Sequence, residues 1–290
     1  MHATTATPAR KPTTAVTGGR TRPDRPFIPL HHPTMKILHT AAALAVAALV
    51  TGGCAPTGGG ASPENATPRQ MLERAIRQAG GEGPLTAARA LVWRGQGVAH
   101  AGEHHVNIVG DWEIQPPDTA IVSSYEVARG QETTRSLVLA APRGWLVSGT
   151  SFRRMPATLL ANERDQFYLY DVIRLVPLRA PGVTLTPIAP DSLGQPGFRA
   201  EQPDRPAVDL YFSANGRLAH LRADVHDAAS AATKRQDMWL SGTIESAGVR
   251  WFREMKMTMD GEPYFDLTVR SLRVMRRIDD PRLAGPPARR

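Results

Sequence analysis

The residues best placed for chemistry are His100-Ala101-Gly102-Glu103-His104. In an H-x-x-E-H pattern two imidazoles can share a zinc ion with a carboxylate nearby as base, provided that a helix turns both rings to one side. Gly95, Gly97 and Gly102 oppose a helix, and Gly102 falls where a turn between two strands is expected. His100, Glu103 and His104 are therefore expected in an exposed hairpin turn together with His105, and zinc-dependent hydrolysis stands third among three readings. The chain has no G-x-S-x-G elbow, phosphate-binding loop, dinucleotide fingerprint or C-x-x-C pair, and the adjacent carboxylates Asp279 and Asp280 sit in a polar tail. These residues predict a protein that is not an enzyme and holds neither metal nor cofactor.

Cys54 is the single cysteine, which excludes a disulfide framework within the chain. It follows Met35-Lys36, an apolar run from Ile37 to Val50, and Thr51-Gly52-Gly53. A positive residue, a short apolar run and small residues before a cut are the order of an export signal, and the run is shorter than the roughly 20 residues a membrane-spanning helix needs. The cysteine after two glycines resembles the lipobox of bacterial lipoproteins, with Thr51 where that pattern has an aliphatic residue. The resemblance implies that Cys54 is acylated, becomes the first residue of the mature chain and ties it to a membrane. Residues 1–53 are thus read as a signal region whose true start is Met35, and residues 54–66 as a flexible Gly/Pro/Ser tether. Ala55 and Pro56 after the cysteine resemble the sorting signal for the outer membrane, facing the periplasm.

The formal charge of +8 lies at the two ends of the chain: residues 1–53 carry a net +5, residues 276–290 a net +3, and residues 54–275 none. Without a basic domain or basic residues interleaved with aromatics, a phosphate-binding footprint has no basis, so nucleic acid is not expected as a partner. Residues 276–290 read as a basic, disordered tail.

Between the ends, Thr67-Pro68-Arg69-Gln70 has the cap, first-turn proline and reciprocal glutamine of a helix start, and Met71, Leu72, Ala75, Ile76 and Ala79 share one helical face. A short second helix is expected within 84–91. From Val92 onward short β-branched and aromatic segments separated by Gly or Pro predict a meander of hairpins, interrupted by a helix within 156–176. Val208, Leu210 and Phe212 alternate with polar positions, Asn215-Gly216 supplies a turn, and Leu221, Ala223 and Val225 alternate again. Met255, Met257 and Met259, the turn Asp260-Gly261, then Phe265, Leu267 and Val269 repeat that design. Residues 67–275 are therefore expected to form one mainly β domain whose sheet has one apolar and one polar face.

The apolar strand faces admit two readings. Trp112, Trp145, Met255, Met257, Met259, Phe265 and Leu267 either fill a core or line a greasy pocket, for which flexible, polarisable Met is suited. The capped first helix, the meander, Leu175-Val176-Pro177-Leu178 after the middle helix, Asp209 to Leu218, and Gly248 to Leu267 together resemble the LolA/LolB-type lipoprotein-sorting superfamily. That resemblance implies a strongly curved, unclosed antiparallel sheet, a half-barrel, with a few helices across its mouth that shelters acyl chains. It points to a monomeric, membrane-anchored module binding an acyl chain, lipid or lipoprotein, and the alternative is a structural component of an envelope complex.

Overall fold

Period-two alternation runs through most of the chain, and the pleat converts it into a sheet with a dry inner face. The structure, a computed structural model, describes residues 66–286, so the expected signal region, Cys54 and the tether up to residue 65 lie outside the described residues. Six strands form one arm: β1 (Ala90–Ala101), β2 (His104–Gln115), β3 (Thr119–Glu126), β4 (Arg135–Ala140), β5 (Arg143–Ser148) and β6 (Ser151–Arg154). The other arm contains β7 (Thr184–Ile188), β8 (Gly197–Glu201), β9 (Val208–Phe212), β10 (Leu218–His226) and β11 (Thr233–Ser241). A small separate hairpin, β12 (Ile244–Ser246) and β13 (Val249–Trp251), precedes β14 (Glu254–Met259) and β15 (Glu262–Met275).

The large sheet has 13 strands in the order β6-β5-β4-β3-β2-β1-β15-β14-β11-β10-β9-β8-β7. It is mainly β, antiparallel throughout, strongly curved and unclosed, as the sequence implied. The two arms join where β1 pairs with β15, from Ala90 opposite Met275 to Ala99 opposite Phe265, with a bulge after Arg94. Edge strands β6 and β7 are consecutive in the chain yet lie at opposite ends of the sheet. Their connection must cross the mouth of the half-barrel, and helix α3 (Ala157–Ile173) lies in it.

Helix α1 (Pro68–Gln78) begins as its sequence dictates. Thr67 Oγ1 accepts from the Gln70 N–H at 3.3 Å, Gln70 Oε1 accepts from the Thr67 N–H at 2.8 Å, and Pro68 occupies the first turn. It buries Met71, Leu72, Ala75 and Ile76. The second helix, α2 (Glu82–Ala87), ends earlier than expected because Ala90 and Leu91 already belong to β1, where both are fully buried.

At the centre Trp93 is fully buried and touches four rings: Trp112 at 6.3 Å and nearly parallel, Tyr170 at 5.3 Å, Trp251 at 5.9 Å and Phe252 at 6.4 Å between centroids. One side chain thereby joins the first arm of the sheet to α3 and the small hairpin.

The carboxy-terminal segment departs from expectation. Through residue 286 it is held on the outer face of β2 to β5, where Ile121, Val138, Trp145 and Val147 form a separate apolar cluster with the buried Ile278. The Ile278 N–H donates to Gln115 Oε1 at 3.0 Å, and Arg282 Nη1 donates to Ser123 Oγ and Ser136 Oγ at 3.0 and 2.8 Å. An apolar outer face needs a cover, and the tail supplies one.

Trp93→Ala is expected to destabilise the chain by roughly 3–5 kcal/mol, the usual cost of emptying a large aromatic site. Because the Trp93 Nε1–H has no partner among the described residues, Trp93→Phe should cost markedly less, and urea denaturation of both variants measures the difference.

Candidate functional site: an apolar pocket under the crossing helix

Three glycines on the inner face, Gly95 and Gly97 on β1 and Gly110 on β2, shape the site. A Cβ at Gly97 would lie 2.6 Å from the Phe265 ring and one at Gly110 would lie 2.9 Å from the Trp112 ring. The two rings therefore rest directly on the strands, which a larger residue would prevent. Their centroids are 6.3 Å apart.

Helix α3 passes over this floor without filling the space beneath it. Asn162 Nδ2 donates to the His226 carbonyl at 2.6 Å, and Asp165 Oδ2 accepts from the His226 N–H at 2.8 Å with the His226 ring nitrogen Nδ1 at 2.7 Å. Thr158 Oγ1 donates to the Ala228 carbonyl at 2.9 Å, and Gln166 and Gln236 bond through their side-chain amides. These polar pins fix the helix to the ends of β10 and β11. Phe167 and Tyr170 then point toward the sheet, and a cavity of about 240 Å³ remains between them and Trp112, Met257 and Phe265.

Its lining is largely apolar, with Ile108, Val122 and Leu137 on the floor. An apolar cavity of about 150 Å³ can hold a benzene ring, so this one has room for part of a single hydrocarbon chain.

Glu163 on α3 interrupts the apolar wall. Its side chain is partly exposed and lines the pocket. Burial raises its carboxyl from 4.5 to about 7, and among the described residues no cation or hydrogen-bond donor offsets the desolvation. Tyr170 and Tyr264 are raised above the usual phenol range, first by burial and then by the Glu163 charge, so both stay neutral near neutral pH. Arg135 on β4 is the remaining titratable group on the lining.

The residues expected at a ligand site divide into three groups. Trp112, Met257 and Phe265 meet at the pocket. Met255 and Leu267 pair across β14 and β15 and are buried at 1 % and 2 % exposure in the core, as is Met259 at 6 %, so most of the methionine stripe is packing. Trp145 is on the opposite face, under the carboxy-terminal segment and beside the Arg143 guanidinium. Strand parity explains this: Trp112 aligns with Val122, Leu137 and Leu146, which leaves Trp145 pointing the other way. Glu163, Phe167 and Tyr170 were missed, since nothing in the spacing of the helix marks one face as a wall.

The histidines form a hairpin end, with Gly102 at φ +63°. His100 pairs across the strands with His105, and His104 pairs with Ala101, so His100 and His104 lie on opposite faces and do not form the zinc pair. His100 Nδ1 is 3.0 Å from His105 Nδ1, and its Nε2 is 3.2 Å from Asp266 Oδ2. Among the described residues no group of three or more His, Cys, Asp or Glu could hold a metal ion.

A buried histidine lies elsewhere on the outer face. His220 is stacked between Tyr211 and Trp239, with Nε2 2.7 Å from Asp237 and Nδ1 3.3 Å from Asp191. Asp191 also accepts from the N–H groups of Leu193 and Gln195, so the cluster fastens the loop after β7 to β10.

No family model and no curated protein matches the chain. Among solved structures it is similar to a LolA superfamily protein from Nitrosomonas europaea, at 12% identity and a TM-score of 0.48, covering 75% of this chain and 97% of that one. It is also similar to a Vibrio parahaemolyticus domain described as an outer membrane lipoprotein-sorting protein, at 12% identity and a TM-score of 0.47, again covering 75% and 97%. The likeness is one of strand layout, and the site rests on this chain's own residues.

The Glu163 carboxyl makes stability depend on pH in a stated direction. It is raised in the folded state, so its favourable contribution is full below pH 4.5 and is lost as pH rises through about 7. Glu163→Gln should flatten that fall and, above pH 7, exceed the parent in stability by at most about 3 kcal/mol. Urea midpoints at pH 5 and pH 8 test this, and parallel shifts in the two chains would exclude it.

Proposed function

We propose that this chain is a membrane-tethered, non-catalytic module of the bacterial envelope that binds an acyl chain, supplied by a lipid or a lipoprotein, under helix α3. The observation that carries this reading is the cavity between α3 and the glycine-floored part of the inner face. Most of its lining is aromatic or aliphatic, with Arg135, Asn162, Glu163 and Gln166 among the polar residues, and it lies beside the buried core. Two other openings fit an acyl chain less well. One, of about 210 Å³ near α1, has Gln78, Asn215, Arg217 and Arg250 on its walls. The other, of about 430 Å³ along β1, β2, β14 and β15, has Gln96, Glu254, Lys256, Asp266 and Arg270. Together those charges and amides outnumber the ones beside the α3 cavity, where Asn162 and Gln166 are already hydrogen-bonded to β10 and β11, and a hydrocarbon chain would leave them without water.

The test is to fill the cavity. Leu137 is partly buried on the pocket floor, and Leu137→Trp adds apolar volume there without adding charge. The variant should keep the parent's thermal stability within a few degrees and lose at least tenfold in affinity for a fluorescent fatty acid. Native mass spectrometry of the parent, extracted gently from cells, should show a retained acyl-bearing mass. A parent that retains and binds none would favour the second reading, a scaffold in an envelope complex, to which the packed Met255, Met259 and Leu267 already lend support.

The tether is proposed from the apolar run and Cys54. Cys54→Ser should abolish both signal removal and membrane attachment, which fractionation and intact-mass measurement read directly. Unchanged attachment would exclude acylation at this residue.

A further inference from the structure

Resting on that reading, we infer that the Glu163 carboxylate selects acyl-bearing ligands that carry an ammonium group near the chain, over those whose head is neutral or anionic. The geometry comes first. Glu163 sits on the wall of the cavity, one residue after Asn162 and three before Gln166, both of which are engaged in docking α3. Asp165, the other carboxylate on this stretch, is also taken, by His226. The helix is thus pinned without Glu163, whose carboxyl faces a hydrocarbon-sized space with no cation or donor among the described residues to offset its burial.

A carboxylate in such surroundings gains most from a partner of opposite charge that also donates hydrogen bonds, since charge-assisted bonds are about twice as strong as neutral ones. An ammonium group satisfies both conditions. A carboxylate or phosphate head would meet a like charge instead, and a glycerol ester offers only neutral hydroxyls.

The other groups facing Glu163 do not replace that partner. Tyr170 on the same helix and Tyr264 on β15 remain neutral, Gln236 on β11 is bonded to Gln166, and Arg135 on β4 is engaged with a partner of its own. Ionisation of Glu163 near neutrality also gives the preference a pH dependence. An ammonium ligand should hold the carboxyl ionised and lose its advantage as the pH falls well below 7.

The experiment uses the full chain with Cys54→Ser, which removes its own acyl group as a competing occupant. Three probes of equal chain length, dodecylammonium, glyceryl monolaurate and dodecanoate, are titrated against bound N-phenyl-1-naphthylamine at pH 8 and pH 5.5. At pH 8 the ammonium probe should bind at least fivefold more tightly than the neutral ester and more tightly still than dodecanoate, and these gaps should narrow at pH 5.5. Glu163→Gln should bring the ammonium and ester affinities within twofold of each other at both pH values, erasing the gap between the probes and its pH dependence. If the parent binds all three probes equally, or if Glu163→Gln weakens all three alike, Glu163 is not a selector and the acyl pocket stands without it. If the neutral ester does not bind at all, the pocket reading itself fails and the inference falls with it.

Discussion

An open sheet whose two edges are consecutive in the chain has to be bridged, and that constraint organises the rest of this molecule. After β6 the chain must travel from one end of a 13-strand sheet to the other before β7 can pair. An irregular segment over an apolar face would leave its backbone N–H and C=O groups without partners, whereas a helix satisfies them internally. Helix α3 is that solution, and it explains why the helix carries buried side chains at six of the seven positions from Phe167 to Ile173, with only Asp171 between them. A helix that spans a concave face has sheet on several sides, so it needs no single apolar stripe.

The same crossing decides where space is left. A curved sheet and a straight helix cannot touch along their whole length, and Thr158, Asn162, Asp165 and Gln166 hold the first ten residues of the helix to β10, β11 and the loop between them. At the other end Tyr170 meets Trp93, which is locked among Trp112, Trp251 and Phe252. Between these two supports, Gly97 and Gly110 lower the floor by letting Phe265 and Trp112 lie on the backbone. A cavity follows from anchoring a rod at two places over a hollow. The buried methionines do not widen it: Met255 and Met259 pack beside the supports, and only Met257 reaches the edge of the space.

Much of the architecture was legible because its signals are local. The Thr67 cap, the Asn215-Gly216 turn and the alternating strands on either side of Asp260-Gly261 each specify their own geometry within a few residues. What remained hidden depends on which strands become neighbours. Trp145 and Trp112 look alike in sequence, and only the register through β3 and β4 puts them on opposite faces. Gly95 and Gly97 argue against a helix in the sequence, yet their structural use is to admit Leu267 and Phe265 of β15, some 170 residues distant. The tail read as a charged, disordered end because its Arg content is conspicuous, while the single Ile278 and the reach of Arg282 to Ser123 and Ser136 fasten it.

Glu163 is a position on α3 where local and global requirements disagree. Thr158, Asn162, Asp165 and Gln166 on α3 are matched to partners on β10, β11 or the loop between them, as expected of groups whose task is to dock a helix. Replacing Glu163 by an apolar residue of similar size would lose no contact that holds the fold and would remove a desolvated carboxyl from its wall. A sequence that breaks a local rule at one place, while obeying it at every adjacent place, concentrates its cost where something outside the fold can return it. The walls around that carboxyl are largely aromatic and aliphatic, so a partner both greasy and able to meet a charge is what such a wall would favour.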